Sequence, residues 1–168
     1  LYTVAILAAL IAALGFFAKK TYHIERSIDL DAPKSMVFEA VSQFKIMDKW
    51  SPWNELDPAM QKTYAGTDGT VGASFSWSGN EEAGKGKQTI QAINADRIDF
   101  MMEIEKPFKS TFPSSFILSG DEQKTKVTWT LDPVLPFPVN VWAMFTNVNE
   151  AMGKDYDRGL GNLQKHLD

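Results

Sequence analysis

Residues 140–167, NVWAMFTNVNEAMGKDYDRGLGNLQKHL, set how the rest of the chain is read. Val141, Phe145, Val148, Met152, Tyr156, Leu160, Leu163 and Leu167 recur at steps of three or four residues, which places them along one side of a long helix. Asn140 is the expected cap, following an extended approach fixed by Pro136 and Pro138. Gly153, Gly159 and Gly161 interrupt this pattern, and each costs about 1 kcal/mol relative to alanine inside a helix. Two readings account for them: ordinary loss of propensity with fraying, or close approach of a sheet or partner. In both, the helix needs a broad apolar surface to lie on.

The middle of the chain supplies that surface. From Thr70 the apolar period becomes two: Val71, Ala73, Phe75 and Trp77 alternate with Gly72, Ser74, Ser76 and Ser78, and Gly79-Asn80 begins a turn. Further on, Ile90 and Ala92, then Ile98, Phe100, Met102 and Ile104, then Phe112, Phe116 and Leu118, and finally Val127, Trp129 and Leu131 each fall on one face. Near the start, YHIERSIDL (residues 22–30) puts Ile24, Ile28 and Leu30 on one side, with Arg26 as the charged exception among them. Repeated alternation of this kind fits antiparallel strands covered on one face better than the continuous apolar strands of a parallel sheet. Between the first strand and the others, DAPKSMVFEAVSQF (31–44) reads as a helix capped by Asp31, with Pro33 in its first turn and Met36, Val37, Ala40, Val41 and Phe44 inward. A second short helix over Ile46–Trp50 should stop at Pro52. The fold class is therefore α+β, in the order strand, two helices, several strands, one long helix.

Residues 1–18, LYTVAILAALIAALGFFA, carry no charge and are followed by Lys19 and Lys20. Eighteen helical residues rise about 27 Å, close to the thickness of bilayer hydrocarbon. The expectation is a single transmembrane helix, with residues 1–20 as the membrane anchor and 21–168 as a separate domain, and thus a single-pass membrane location. A secretory signal peptide is the alternative, although Phe16 stands where a cleavage site prefers a small residue. Lys19 and Lys20 favour a cytoplasmic C-terminal domain, but a basic stretch upstream would reverse this, so the side of the membrane stays open.

Composition removes several function classes. The net charge of -4, with no basic stripe, argues against a nucleic-acid partner. With no cysteine and only His23 and His166, neither thiolate chemistry nor a histidine-rich metal site is expected. The run GNEEAGKGK (79–87) lacks phosphate-loop spacing and carries Glu81 and Glu82 where an anion would approach, so it reads as a hairpin, and no cofactor is expected. Ser114, Ser115 and Ser119 have no histidine base placed for them. The WSPW segment (50–53) offers Trp50 and Trp53 either as the lining of a ligand opening or as a plug at one end of the core.

The strings ERSIDLDAPKSMVFEAVSQF, WSPW, SFSWSGNEEAGKGKQTI, KVTWTL and DYDRGLGNLQKHL, in this order, resemble the Bet v 1/START-like superfamily, in particular its polyketide cyclase/dehydrase-like SRPBCC branch. The resemblance covers residues 22–167. It implies a helix-grip fold, a curved antiparallel sheet around the long C-terminal helix, with an apolar cavity between them. Phe75, Trp77, Phe100, Met102, Phe116 and Trp129 would then face the helix, with Met152 and Tyr156 on the opposing wall, and Trp50 and Trp53 near the opening. Arg26 and Tyr156 are the polar cavity candidates, and no residue is assigned as catalytic. The expected function is membrane-tethered binding of a hydrophobic small molecule or lipid. Two alternatives stay open: a cyclase, dehydratase or hydrolase acting on a hydrophobic substrate, starting from Arg26, Glu103 or Tyr156, and a membrane-associated protein-interaction module using the WSPW segment.

Overall fold

The computed structural model describes residues 2–168, the side chains of Ala5, Leu7, Ala8, Leu10 and Ala12 excepted. Seven strands form one antiparallel sheet: β1 (Ile24–Leu30), β2 (Gln61–Ala65), β3 (Ser74–Ser78), β4 (Lys85–Asn94), β5 (Arg97–Lys106), β6 (Ser110–Gly120) and β7 (Thr125–Leu131). Their spatial order is β1-β7-β6-β5-β4-β3-β2, so β1 closes onto the last strand and the others follow as a meander. Register aligns the inward side chains in rows. Phe75 pairs with Gln88, Gln88 with Met102 and Met102 with Phe112, while Ile98 pairs with Phe116 and Phe116 with Trp129. One continuous inner face results, aromatic at its centre.

Helices α2 (Lys34–Ser42) and α3 (Phe44–Trp50) follow β1, and a 3-10 turn spans Pro52–Glu55. Pro33 precedes α2 without any side-chain cap, so the cap expected of Asp31 does not form; Asp31 instead pairs at the surface with Lys124 at 3.1 Å. Val37, Ala40 and Val41 are buried as expected, but Met36 is exposed. The β3 strand starts only at Ser74, and Val71 lies outside it and is exposed. A bulge between Ile90 and Ala92 shifts the register of β4 against β5.

The C-terminal helix is shorter than its apolar period implies. A short α4 (Val139–Ala143) is followed by a break and then by α5 (Val148–Leu167). The cap of α5 is Asn147, whose side chain accepts a hydrogen bond from the Glu150 amide at 3.2 Å. Asn140 lies inside α4, fully buried, and its Nδ2 donates to the Gly15 carbonyl at 2.7 Å. Phe145, assigned to the inward stripe, is exposed in the break. From Val148 onward the stripe holds: Tyr156, Leu160 and Leu163 are buried, with Met152 and Leu167 packed at their margins.

Two of the three glycines mark close approach. A Cβ on Gly153 would overlap the guanidinium of Arg26, and one on Gly159 would lie 2.9 Å from Cζ3 of Trp129 and 3.4 Å from the Pro52 ring. Gly161 has open space around it. Absence of side chains at 153 and 159 therefore lets α5 settle onto β1, β7 and the 3-10 turn.

The N-terminal expectation requires correction. The first helix, α1 (Tyr2–Phe17), has 16 residues, a length of about 24 Å against roughly 30 Å of bilayer hydrocarbon. Among the described residues no helix is long and apolar enough to cross a membrane. Leu1, with which the expected anchor began, lies outside the described residues. The transmembrane helix, the membrane partner assigned to residues 1–20, the single-pass location and membrane tethering as part of the function all lose their basis. The end of α1 instead packs against α4, where a Cβ on Gly15 would run into the Phe137 ring and 3.2 Å from Val141.

Candidate functional site

Between α5, α3 and the inner face of β3–β7 lies a cavity of about 280 Å³. That is about twice the ~150 Å³ of an engineered apolar cavity that holds benzene, and near the lower end of the range for small-molecule sites. Half of the residues that line it are aromatic or methionine. The sheet contributes Phe75 and Trp77 from β3, Met102 from β5, Phe112 from β6 and Trp129 from β7. The helices and turns contribute Phe44, Met47, Trp50, Trp53 and Met60, while α5 adds Met152 and Tyr156.

These rings hold each other in place. Trp129 lies 4.3 Å from Tyr156, 4.6 Å from Phe116, 5.8 Å from Trp50 and 5.9 Å from Trp53, centre to centre. The Trp53–Tyr156 pair at 5.8 Å closes the group. Edge-to-face pairs of this kind add about 0.5–1.5 kcal/mol each beyond burial. Three of the four indole N–H groups are directed into the protein: Trp50 Nε1 donates to the Ala40 carbonyl at 3.1 Å, Trp77 Nε1 to that of Ala83 at 3.1 Å, and Trp129 Nε1 to Ser114 Oγ at 3.2 Å. Pinned in this way, these three indoles turn their carbon faces to the cavity.

Of the residues singled out from sequence, Trp50, Trp53, Phe75, Trp77, Met102, Trp129, Met152 and Tyr156 border the cavity. Trp50 and Trp53 both pack edge-to-face against Trp129, so lining the opening and closing the core are one placement rather than two. Phe100 and Phe116 lie behind the wall, fully buried against Phe44, Trp50 and Trp129. Arg26 does not reach the cavity. Its Nε donates to Asp157 at 3.0 Å, Nη1 to the Glu25 carbonyl at 2.8 Å and to Asn149 Oδ1 at 3.0 Å, and Nη2 to the Asn149 carbonyl at 2.8 Å. This side chain therefore ties β1 to the first turns of α5. Glu103 is exposed and does not border the cavity.

Polar groups at the cavity fall into three sets. Ser114 Oγ donates to the Thr130 carbonyl at 2.8 Å and Ser110 Oγ to the Val134 carbonyl at 2.7 Å, so both are engaged by backbone. Charged side chains border it too: Asp48, Glu82, Asp155 and Lys106. Asp48 accepts from Lys62 Nζ at 2.6 Å, and Asp155 from Arg158 at 3.1 Å. The third set is Tyr156 and Gln88, both buried. Burial, reinforced by nearby Asp155, pushes the Tyr156 hydroxyl far above the ordinary phenol range, so it stays a neutral donor. Gln88 was not among the residues named from sequence. Its signal was parity: in GKGKQTI it shares the face of Ile90. Phe44, Met47, Met60 and Phe112 were likewise not named as site residues. Among the described residues no cluster of His, Asp and Glu could hold a metal ion.

A seven-stranded antiparallel sheet gripping a C-terminal helix over an apolar cavity is the helix-grip architecture of the Bet v 1/START-like superfamily. Residues 21–168 match the family described as polyketide cyclase/dehydrase and lipid transport, and the chain belongs to that family. No curated protein matches the chain. Solved structures do: a protein from Nitrosospira multiformis is 23% identical with a TM-score of 0.62, the match covering 88% of this chain and 97% of that one. A Thermobifida fusca protein is 18% identical at a TM-score of 0.64, over 86% and 92% of the two chains. The Aha1 dimer from Colwellia psychrerythraea is 15% identical at 0.59, over 87% and 96%. At these identities the likeness shows the fold.

Proposed function

We propose that this protein binds a hydrophobic small molecule or lipid in the cavity between α5 and the sheet. The observation that supports the reading is the cavity itself, about 280 Å³ with a wall of aromatic and methionine side chains whose polar atoms are mostly engaged elsewhere. Moving apolar ligand surface from water into such a space contributes about 25 cal/mol per Å². Methionine at positions 47, 60, 102 and 152 adds a wall that adapts to ligands of differing outline.

Four of the five tryptophans, Trp50, Trp53, Trp77 and Trp129, border the cavity and provide the readout. The full chain is incubated with a lipid and metabolite extract, passed through native mass spectrometry, and titrated with each retained compound while tryptophan emission is followed. The expected result is a stoichiometric adduct and saturable quenching. A chain that emerges free of ligand, with emission unchanged by any apolar compound, refutes the reading.

A further inference from the structure

Two buried neutral polar residues on the cavity wall have side chains without a hydrogen-bond partner inside the protein. Gln88 is 8% exposed and Tyr156 7%, and both border the cavity. Among the described residues, neither the Gln88 carboxamide nor the Tyr156 hydroxyl makes a hydrogen bond, while the neighbouring Ser114 and Trp129 Nε1 are paired. Their polar atoms keep accessible surface at the cavity, so a ligand group that enters can hydrogen-bond to them, and an apolar ligand that covers them leaves them unpaired at a cost. The register explains why Gln88 is available: it stands between Phe75 on β3, which offers no hydrogen-bonding group, and Met102 on β5, which offers only a weakly accepting thioether.

Charge at the cavity points in the same direction. Of the four charged side chains that border the cavity, Asp48 is paired with Lys62 and Asp155 with Arg158, which leaves Glu82 and the exposed Lys106. Lys62 and Arg26, positive charges on the inner side of the sheet, are held by Asp48 and by Asp157 and Asn149 respectively. An anionic head group therefore finds no cation left over except Lys106 at the exposed border, and deeper inside it meets only neutral groups.

Resting on the ligand-binding reading above, the geometry points to Gln88 and Tyr156 as the residues that set specificity, selecting an uncharged ligand of about two fused rings that carries a carbonyl or hydroxyl group. Gln88 offers both a donor and an acceptor, and Tyr156, held protonated by burial, offers a donor. Shape and apolar surface supply affinity, and the two polar groups select among ligands of similar size.

The test uses three probes with one ring system: 2-acetylnaphthalene, 2-ethylnaphthalene and 2-naphthoate. Each is titrated calorimetrically into the full chain and into Gln88→Met and Tyr156→Phe, after cooperative unfolding has shown that both variants fold. The ketone is expected to bind about fivefold more tightly than the hydrocarbon, the factor of one net hydrogen bond. It is expected to exceed the carboxylate by at least about tenfold, because the charge would be buried unpaired. The ratio of ketone to hydrocarbon affinity should fall towards one in at least one variant. Equal binding of ketone and hydrocarbon, a ratio unchanged in both variants, or tightest binding of the carboxylate overturns the inference and leaves the cavity reading standing. Failure of all three probes to bind overturns both.

Discussion

Replacing Gly153 by alanine should have opposite signs in two backgrounds. The Arg26 guanidinium occupies the place of the missing Gly153 side chain. It is the mobile end of a long side chain, so an added methyl group displaces it without moving backbone. Displacement breaks the bonds from Arg26 to Asp157, to Asn149 Oδ1 and to the Asn149 carbonyl, at 3.0, 3.0 and 2.8 Å. The two bonds to Asn149 are exposed, and each contributes about 0.5–1.5 kcal/mol net. Asp157 is 58% exposed and regains water, so the Asp157 bond falls towards the surface ion-pair range of about 0–1 kcal/mol. Loss of all three is worth about 2 kcal/mol, and alanine returns about 1 kcal/mol of helix propensity. Gly153→Ala should therefore destabilise the protein by about 1 kcal/mol. In an Arg26→Ala background nothing is left to displace, and the same change should stabilise by about 1 kcal/mol. The coupling between the two sites is then about 2 kcal/mol, well above the ~0.5 kcal/mol scatter of independent sites. Urea unfolding of the four proteins, followed by far-UV circular dichroism, measures it. If Gly153→Ala stabilises both backgrounds equally, Arg26 does not tie β1 to α5.

Three further outcomes follow from the same geometry. Gly159→Ala should destabilise by about 1–2 kcal/mol, because its methyl group would press on Trp129, which is wedged among four other rings, whereas Gly161→Ala, in open space, should stabilise by up to about 1 kcal/mol; thermal unfolding separates the two. His23 has its pKa raised from 6.5, first by the hydrogen bond to Asp132 at 2.6 Å, so its contribution is present in full below about pH 6.5 and is lost as pH rises through the raised value; NMR titration of the ring should show the shift, and Asp132→Asn should reduce it. Tyr64 is pushed up to about 12, by burial and then by the Asp48 charge, and Tyr156 is pushed higher still by burial, so Tyr64→Phe and Tyr156→Phe should remove only tyrosinate absorbance that develops late in an alkaline titration.

Alternation was the most legible feature, because a one-residue slip would turn every inner side chain to solvent. The faces of β5, β6 and β7 follow it without exception at Phe100, Phe116 and Trp129. Strand β2 escaped because QKTYA is a short edge strand with two polar residues on one face and Lys62 on the other. The break before α5 escaped because the apolar period runs through it, from Val141 to Phe145 to Val148. A local signal was nevertheless present: Asn147 stands three residues before Glu150, the spacing of a cap followed by an acidic residue in the first turn. Arg26 shows what parity cannot supply. Its face was readable, but whether that face met cavity or helix depended on where two glycines let α5 come down.

Those glycines also explain why a cavity exists in a chain with enough large side chains to fill one. α5 packs closely on β1 and on the 3-10 turn that follows α3, drawn in at Gly153 by Arg26 and at Gly159 by Trp129. The helix therefore lies towards the β1–β7 side of a seven-strand sheet, and the inner faces of β3, β4 and β5 are left for α3 and the turns to cover. Collapse into the remaining space would require the indoles of Trp50, Trp77 and Trp129 to give up bonds to Ala40, Ala83 and Ser114, each of which would leave a donor unpaired. It would also require the Trp77 ring to leave Gly86, over which it lies closely enough that a Cβ there would come within 2.6 Å of it. The wall is thus stiff at its tryptophans and compliant at Met47, Met60, Met102 and Met152. A space kept open by pinned rings and bounded by movable thioethers can be filled by an apolar molecule without repacking the sheet.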